Sequence, residues 1–170
     1  ATSARLRRFG NTDDFRGQSR PTSGLITQSE VRSLALAQLA IQPGAVVWDI
    51  GAGSGSVAIE AAGLSNPGVV FAIEQDAADY HLILANAETF GVKNLKAIHG
   101  TAPGVLAGLP APDAVFAGGD GREVAGVLEP AWQALRPGGH LVVHVGTIEN
   151  LSSAYAVLRR LSGEVRALLV

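Results

Sequence analysis

With 170 residues and an apolar share of 47%, the chain fits a single domain that buries roughly two thirds of the surface its unfolded form exposes. The absence of Cys excludes disulfides, a thiol nucleophile, cysteine-ligated zinc and iron–sulfur clusters, and the apolar runs fall short of the ~18 residues a membrane span requires. A formal net charge of −2 provides no general field for nucleic acid.

Residues 1–26 read as an arginine-rich extension carrying Arg5, Arg7, Arg8, Arg16 and Arg20, a composition typical of a solvated tail that also suits an acidic ligand. The chain holds no Met and opens on Ala1-Thr2-Ser3, which leads us to expect part of a larger polypeptide or a processed form. The domain proper is expected over 27–170. It opens on Thr27-Gln28-Ser29-Glu30, a capping-box pattern, followed by Val31, Leu34, Ala35 and Leu39 at helical spacing. A helix is therefore predicted from near Gln28, capped by Thr27.

Beyond Pro43-Gly44, strand-like apolar runs alternate with helical patterns. Strands are predicted at 45–50, 69–74, 95–99, 113–117, 140–145 and 165–170. Asn66-Pro67-Gly68 and Pro137-Gly138-Gly139 punctuate the alternation, and Asp76 and Gly91 suit the two ends of a helix over 77–90. Such alternation predicts an α/β fold, with a mostly parallel sheet covered by helices on both faces. In such sheets ligands bind beyond the carboxyl ends of the strands. The segments expected there are 51–56, 74–76, 100–102, 118–121 and 146–150.

The first of these segments is the most informative. The run Val46-Val47-Trp48-Asp49-Ile50 leads directly into Gly51-Ala52-Gly53-Ser54-Gly55 and then into a helical pattern. Glycines in such a turn adopt backbone angles closed to other residues and let a nucleotide lie against bare backbone. Glu74 ends the next strand, at about the distance where these folds place a carboxylate on ribose hydroxyls. A dinucleotide fingerprint would read Gly-x-Gly-x-x-Gly. Here the third glycine arrives one residue early and Asp49 precedes the loop, a form that resembles the first motif of Rossmann-like methyltransferases using S-adenosylmethionine. The same glycines would also serve a plain strand–helix turn or a nicotinamide site.

A narrower resemblance rests on Gly24-Leu25-Ile26-Thr27-Gln28-Ser29-Glu30-Val31-Arg32, on the glycine-loop run from Trp48 to Glu60, and on Gly118-Gly119. Leu135-Arg136-Pro137-Gly138-Gly139 and Thr147-Ile148-Glu149-Asn150-Leu151 extend it. Together these resemble the decarboxylating precorrin methyltransferases of cobalamin synthesis that act on carbon 15. The resemblance implies methylation coupled to loss of the carbon 12 acetate carboxylate, a tetrapyrrole acceptor, a cytoplasmic homotetramer, and a module found alone or fused behind a carbon 5 methyltransferase domain. Neither nucleic acid nor membrane is an expected partner. Relative to that family, Gln28 stands where a Lys is expected, Thr12 replaces a Pro, His144 falls at a variable position, and the last antiparallel strand is expected to be missing.

The resemblance also assigns roles. Thr27, Asp49, Gly51, Ala52, Gly53, Ser54 and Gly55, with Glu74 and the turn Gly100-Thr101-Ala102, are the expected cofactor contacts; Asp49 lies near the ammonium group, Glu74 at the ribose and the turn at the adenine edge. Arg32, Gly118 and Gly119 are candidates for the acceptor. Asp120, His144 and Glu149 lie on the predicted rim and are candidates for proton handling or for steering the scissile carboxylate. His140 shares a strand face with His144, but two histidines without a carboxylate partner point to no metal. Alternatives are a methyltransferase acting on protein isoaspartate or a transfer-RNA base, and a nicotinamide-binding or non-catalytic nucleotide-binding module.

Overall fold

The structure is a computed structural model and describes residues 28–118, 124–162 and 164–170. Its elements run in chain order as α1 (Ser29–Leu39), β1 (Val46–Ile50), α2 (Ser56–Ser65), β2 (Val69–Glu74), α3 (Ala77–Thr89) and β3 (Leu95–His99). After a short 3-10 turn at Leu106–Gly108 come β4 (Ala114–Ala117), α4 (Val124–Ala134), β5 (His140–Val143) and α5 (Ile148–Leu161). The five strands form one sheet in the order β3-β2-β1-β4-β5, and every neighbouring pair is parallel. The expected Rossmann-like α/β architecture is thus present.

Alternation along the strands sends successive side chains to opposite faces. Val47, Val70, Ala72 and Phe116 pack under helices α1 to α3, against Leu36, Leu39, Ala58 and Ile83. Trp48, Ile50, Phe71, Ile73 and Val115 pack on the other face with Leu106 of the 3-10 turn and Ala131 of α4. Ala117, Val124, Leu128 and Ala154 form a smaller cluster joining β4, α4 and α5. Register aligns the strand ends: Ile50 lies beside Ile73 on one flank and Ala117 on the other. The loops leaving β1, β2 and β4 therefore emerge along one edge of the sheet.

Asp76 caps α3, its carboxylate accepting from the N–H groups of Ala78 and Asp79 at 2.8 and 3.2 Å, and Gly91 follows at φ 65°. At α1 the cap position falls on Gln28, with no side-chain cap bond, rather than one residue earlier; Thr27 itself lies outside the described residues. The largest departure is the sixth predicted strand. Residues 164–170 form no strand, and Leu168, Leu169 and Val170 are exposed. An apolar run becomes a strand only when a neighbouring backbone offers it a ladder, and β5 has β4 as its sole sheet partner among the described residues. No helix among the described residues is long and apolar enough to cross a membrane.

Candidate functional site

The chain progresses from β1 outward to β2 and β3, then returns to the other side of β1 for β4 and β5. This change of direction opens a crevice beyond the carboxyl ends of β1 and β4, where open α/β sheets bind ligands. After β1, the backbone turns through Gly51, Gly53 and Gly55 at φ 75°, 55° and 81°, a region where other side chains are strained. Gly51 and Ala52 donate N–H to the Ile73 carbonyl at 3.0 and 3.1 Å, and Gly55 donates to the Ala52 carbonyl at 2.8 Å.

Glu74 meets this loop directly. Its Oε2 accepts from the Gly53 N–H at 2.8 Å and its Oε1 from the Asp76 N–H at 2.9 Å. A carboxylate oxygen accepts more than one hydrogen bond, so these contacts aim the group and leave lone pairs for a ligand's hydroxyls. The turn after β3 is tied to the same residue, with the Gly100 N–H donating to the Glu74 backbone carbonyl at 2.9 Å. Thr101 is exposed there and Ala102 half-buried.

Asp49, the penultimate residue of β1, is 1% exposed, and neither carboxylate oxygen has a hydrogen-bond partner among the described residues. Burial pushes its pKa from 3.8 up to about 7; the Ala58 N–H opposes the rise without reaching hydrogen-bond geometry, and the Glu74 carboxylate adds to it. A buried polar group without a partner is costly, and a hydrogen-bond donor or a cationic group would satisfy this one.

Across the crevice, the Gly118 N–H donates to the Ile50 carbonyl at 2.9 Å, and a Cβ at this position would lie 2.8 Å from the Phe116 ring. Only glycine fits there without displacing the ring. Past β5, the His144 N–H donates to the Ala117 carbonyl at 2.9 Å. Its imidazole is half-buried, and that burial lowers its pKa, favouring the neutral ring. His144 lines a cavity of about 490 Å³ with Phe116, Tyr155 and residues of the 164–170 segment. Glu149 is exposed in the first turn of α5, whose cap is Thr147, its hydroxyl accepting from the Asn150 N–H at 3.2 Å.

The structure therefore brings Asp49, the glycine loop, Glu74, Gly100 and Gly118 to one edge. Arg32 does not join them at a pocket mouth. Its Nε donates to Glu60 Oε1 at 2.7 Å, with both side chains fully shut off from solvent, and this corrects the expectation that Arg32 receives an acceptor carboxylate. The remaining candidates Thr27, Gly119 and Asp120 lie outside the described residues, as do the arginines of 1–26. Among the described residues no group of acidic, histidine or cysteine side chains is arranged to hold a metal ion.

Two residues that sequence reading passed over touch the loop from α3. Asn86, buried, donates Nδ2–H to the Ser54 carbonyl at 2.8 Å. A Cβ on Gly55 would stand 3.2 Å from the Ile83 side chain, so α3 presses closely on the turn. The available signal was a stripe: Asp79, Ile83 and Asn86 recur at helical spacing, all buried, and Asn86 is a polar residue on the inward face.

Residues 21–170 match the family model described as the precorrin methyltransferase domain. The chain belongs to this family. Among members of the precorrin methyltransferase family, it is 46% identical over 127 residues to a decarboxylating precorrin-6Y C(5,15)-methyltransferase of Sinorhizobium sp, a match covering 74% of this chain and 30% of that protein. It is 39% identical over 145 residues to the decarboxylating cobalt-precorrin-6B C(15)-methyltransferase of Salmonella typhimurium, covering 85% of this chain and 72% of that one. The crystal structure of a precorrin-6y C5,15-methyltransferase from Geobacter metallireducens superposes with a TM-score of 0.84 at 35% identity, covering 91% of this chain and 79% of the other. The chain thus spans under a third of the Sinorhizobium protein and about 72% of the Salmonella one.

Proposed function

We propose that this precorrin methyltransferase domain uses S-adenosylmethionine to methylate carbon 15 of a precorrin, with loss of the carboxylate from the carbon 12 acetate side chain, in cobalamin biosynthesis. The observation that carries the reading is the pairing of a prebuilt glycine loop and Glu74 with the partnerless buried carboxylate of Asp49. The residues fit the cofactor: bare loop backbone for close approach, Glu74 for the ribose hydroxyls, Asp49 for the cationic end, and the Gly100-Thr101-Ala102 turn for the adenine edge.

When bound, S-adenosylmethionine supplies a methyl group already activated as a sulfonium. The chain's own task is then to hold two reactants in line, an effect that can be worth several kcal/mol. A reduced tetrapyrrole brings enamine-like carbon of its own, and after alkylation an iminium-like centre that accepts the electrons released with carbon dioxide. No strong protein base is required. Half-buried His144, whose burial favours the neutral ring, and exposed Glu149 serve on the acceptor side to move a proton or orient the departing carboxylate; Asp120, outside the described residues, is assigned the same role from the sequence alone. Gly118 and Gly119 form the assigned acceptor contact, and the arginines of 1–26 meet the acceptor's many carboxylates.

In the same reading the domain acts in the cytoplasm as a homotetramer. Its identity to a relative more than three times as long as the matched stretch favours fusion to a carbon 5 methyltransferase domain. The test is to incubate the protein with S-adenosylmethionine and the reduced precorrin and to follow product mass. Gain of one methyl group with loss of one carbon dioxide is expected; an unchanged mass would overturn the function.

A further inference from the structure

We infer that Asn86 is a positioning residue that holds the glycine loop in its ligand-ready shape, an inference that rests on the proposed use of S-adenosylmethionine. The loop and α3 are joined in a closed circuit. Glu74 accepts from Gly53 in the loop and from Asp76 at the start of α3, and three turns further along the helix Asn86 reaches back to Ser54. The peptide between Ser54 and Gly55 is held at both ends, its N–H by the Ala52 carbonyl and its C=O by Asn86. Ile83, one turn earlier on the same stripe, closes the space beside Gly55.

This arrangement answers a physical need. Three glycines in a short turn give it more conformational freedom than any other sequence, and ordering it on binding would weaken affinity. The bonds to Glu74 and Asn86 order it beforehand. Asn is also a mediocre residue for a helix interior, because its amide competes for backbone partners. On the buried stripe of α3 its value lies in the partner it finds, 32 residues earlier in the chain.

A mere space-filling role is separable from donation to Ser54. Asn86→Asp keeps the shape and replaces the donor N–H groups by acceptor oxygens when ionised, or by one O–H when protonated. Calorimetric titration of wild type and variant with S-adenosylmethionine at pH 8.5 and at pH 5.5 reads the difference. Asp49 titrates in both proteins, so the ratio of affinities at each pH is the quantity compared. We expect the variant to bind at least about tenfold more weakly at pH 8.5, with the ratio narrowing at pH 5.5 as the acid regains a donor. Asn86→Ser, whose hydroxyl is too short to reach Ser54, serves if the Asp variant does not fold, and its deficit should be independent of pH. Equal affinities of wild type and variant, or an Asp variant with a deficit unchanged between the two pH values, would overturn the inference alone. Absence of wild-type binding would overturn the proposed function and this inference with it.

Discussion

On the β1–β2 side of the sheet edge, the glycine loop, Glu74 and α3 close on one another through hydrogen bonds of 2.8 and 2.9 Å, and the strands beneath are buried nearly end to end. On the β5 side the strand is half-buried at best, and His144 and residues 164–170 surround a cavity of about 490 Å³. The first region is tied together by its own hydrogen bonds. The second offers space. Under the proposed function, the first region would hold the cofactor and the acceptor would lie beside it.

The largest expected contrast is between two ion pairs, one buried and one exposed. Arg32–Glu60 ties α1 to α2 with both partners at 0% exposure, whereas Arg160–Glu129 ties α5 to α4 with partners 66% and 46% exposed. Arg32→Ala should cost about 3–5 kcal/mol in urea unfolding, because it removes the guanidinium from a carboxylate sealed off from water. Arg160→Ala should cost under about 1 kcal/mol. Similar losses for both would mean that burial does not set the two pairs apart as described.

The effect next in size comes from Asp49. With a folded-state pKa of about 7 against an ordinary 3.8, this carboxyl favours its protonated form on folding. The stability it contributes is fully present below about pH 4 and is lost as pH rises through 7. The ligand-free protein should therefore lose stability across that window, and Asp49→Asn should remove this component, a difference on the order of a few kcal/mol by pH 8. Binding of a cation should show the opposite trend, tightening as Asp49 ionises. Unfolding curves at pH 5 and pH 8 that shift equally in wild type and Asp49→Asn would contradict this reading.

Much of this edge was visible in the sequence, for reasons that can be named. Parallel strands buried on both faces are short continuous apolar runs, and Pro-Gly breaks separate them cleanly from helices. The loop and Glu74 announce themselves because glycine spacing and the end of a strand are local properties. Arg32 was assigned to the acceptor by resemblance, and nothing local in the sequence reveals that Glu60, 28 residues on, sits against it. Asn86 escaped notice because its role exists only once α3 is folded across the loop. Residues 165–170 have the composition of a strand, yet strand formation depends on a neighbour that composition does not specify.

Calorimetric titration of S-adenosylmethionine into the wild-type chain and into Glu74→Ala, with NAD as the control ligand, tests the proposed cofactor site most directly. Charge-assisted hydrogen bonds contribute about 1.5–3 kcal/mol each. S-adenosylmethionine should therefore bind the wild type, NAD should give no heat of binding, and the variant should be at least about tenfold weaker. Absence of S-adenosylmethionine binding, or equal affinity in Glu74→Ala, would contradict it.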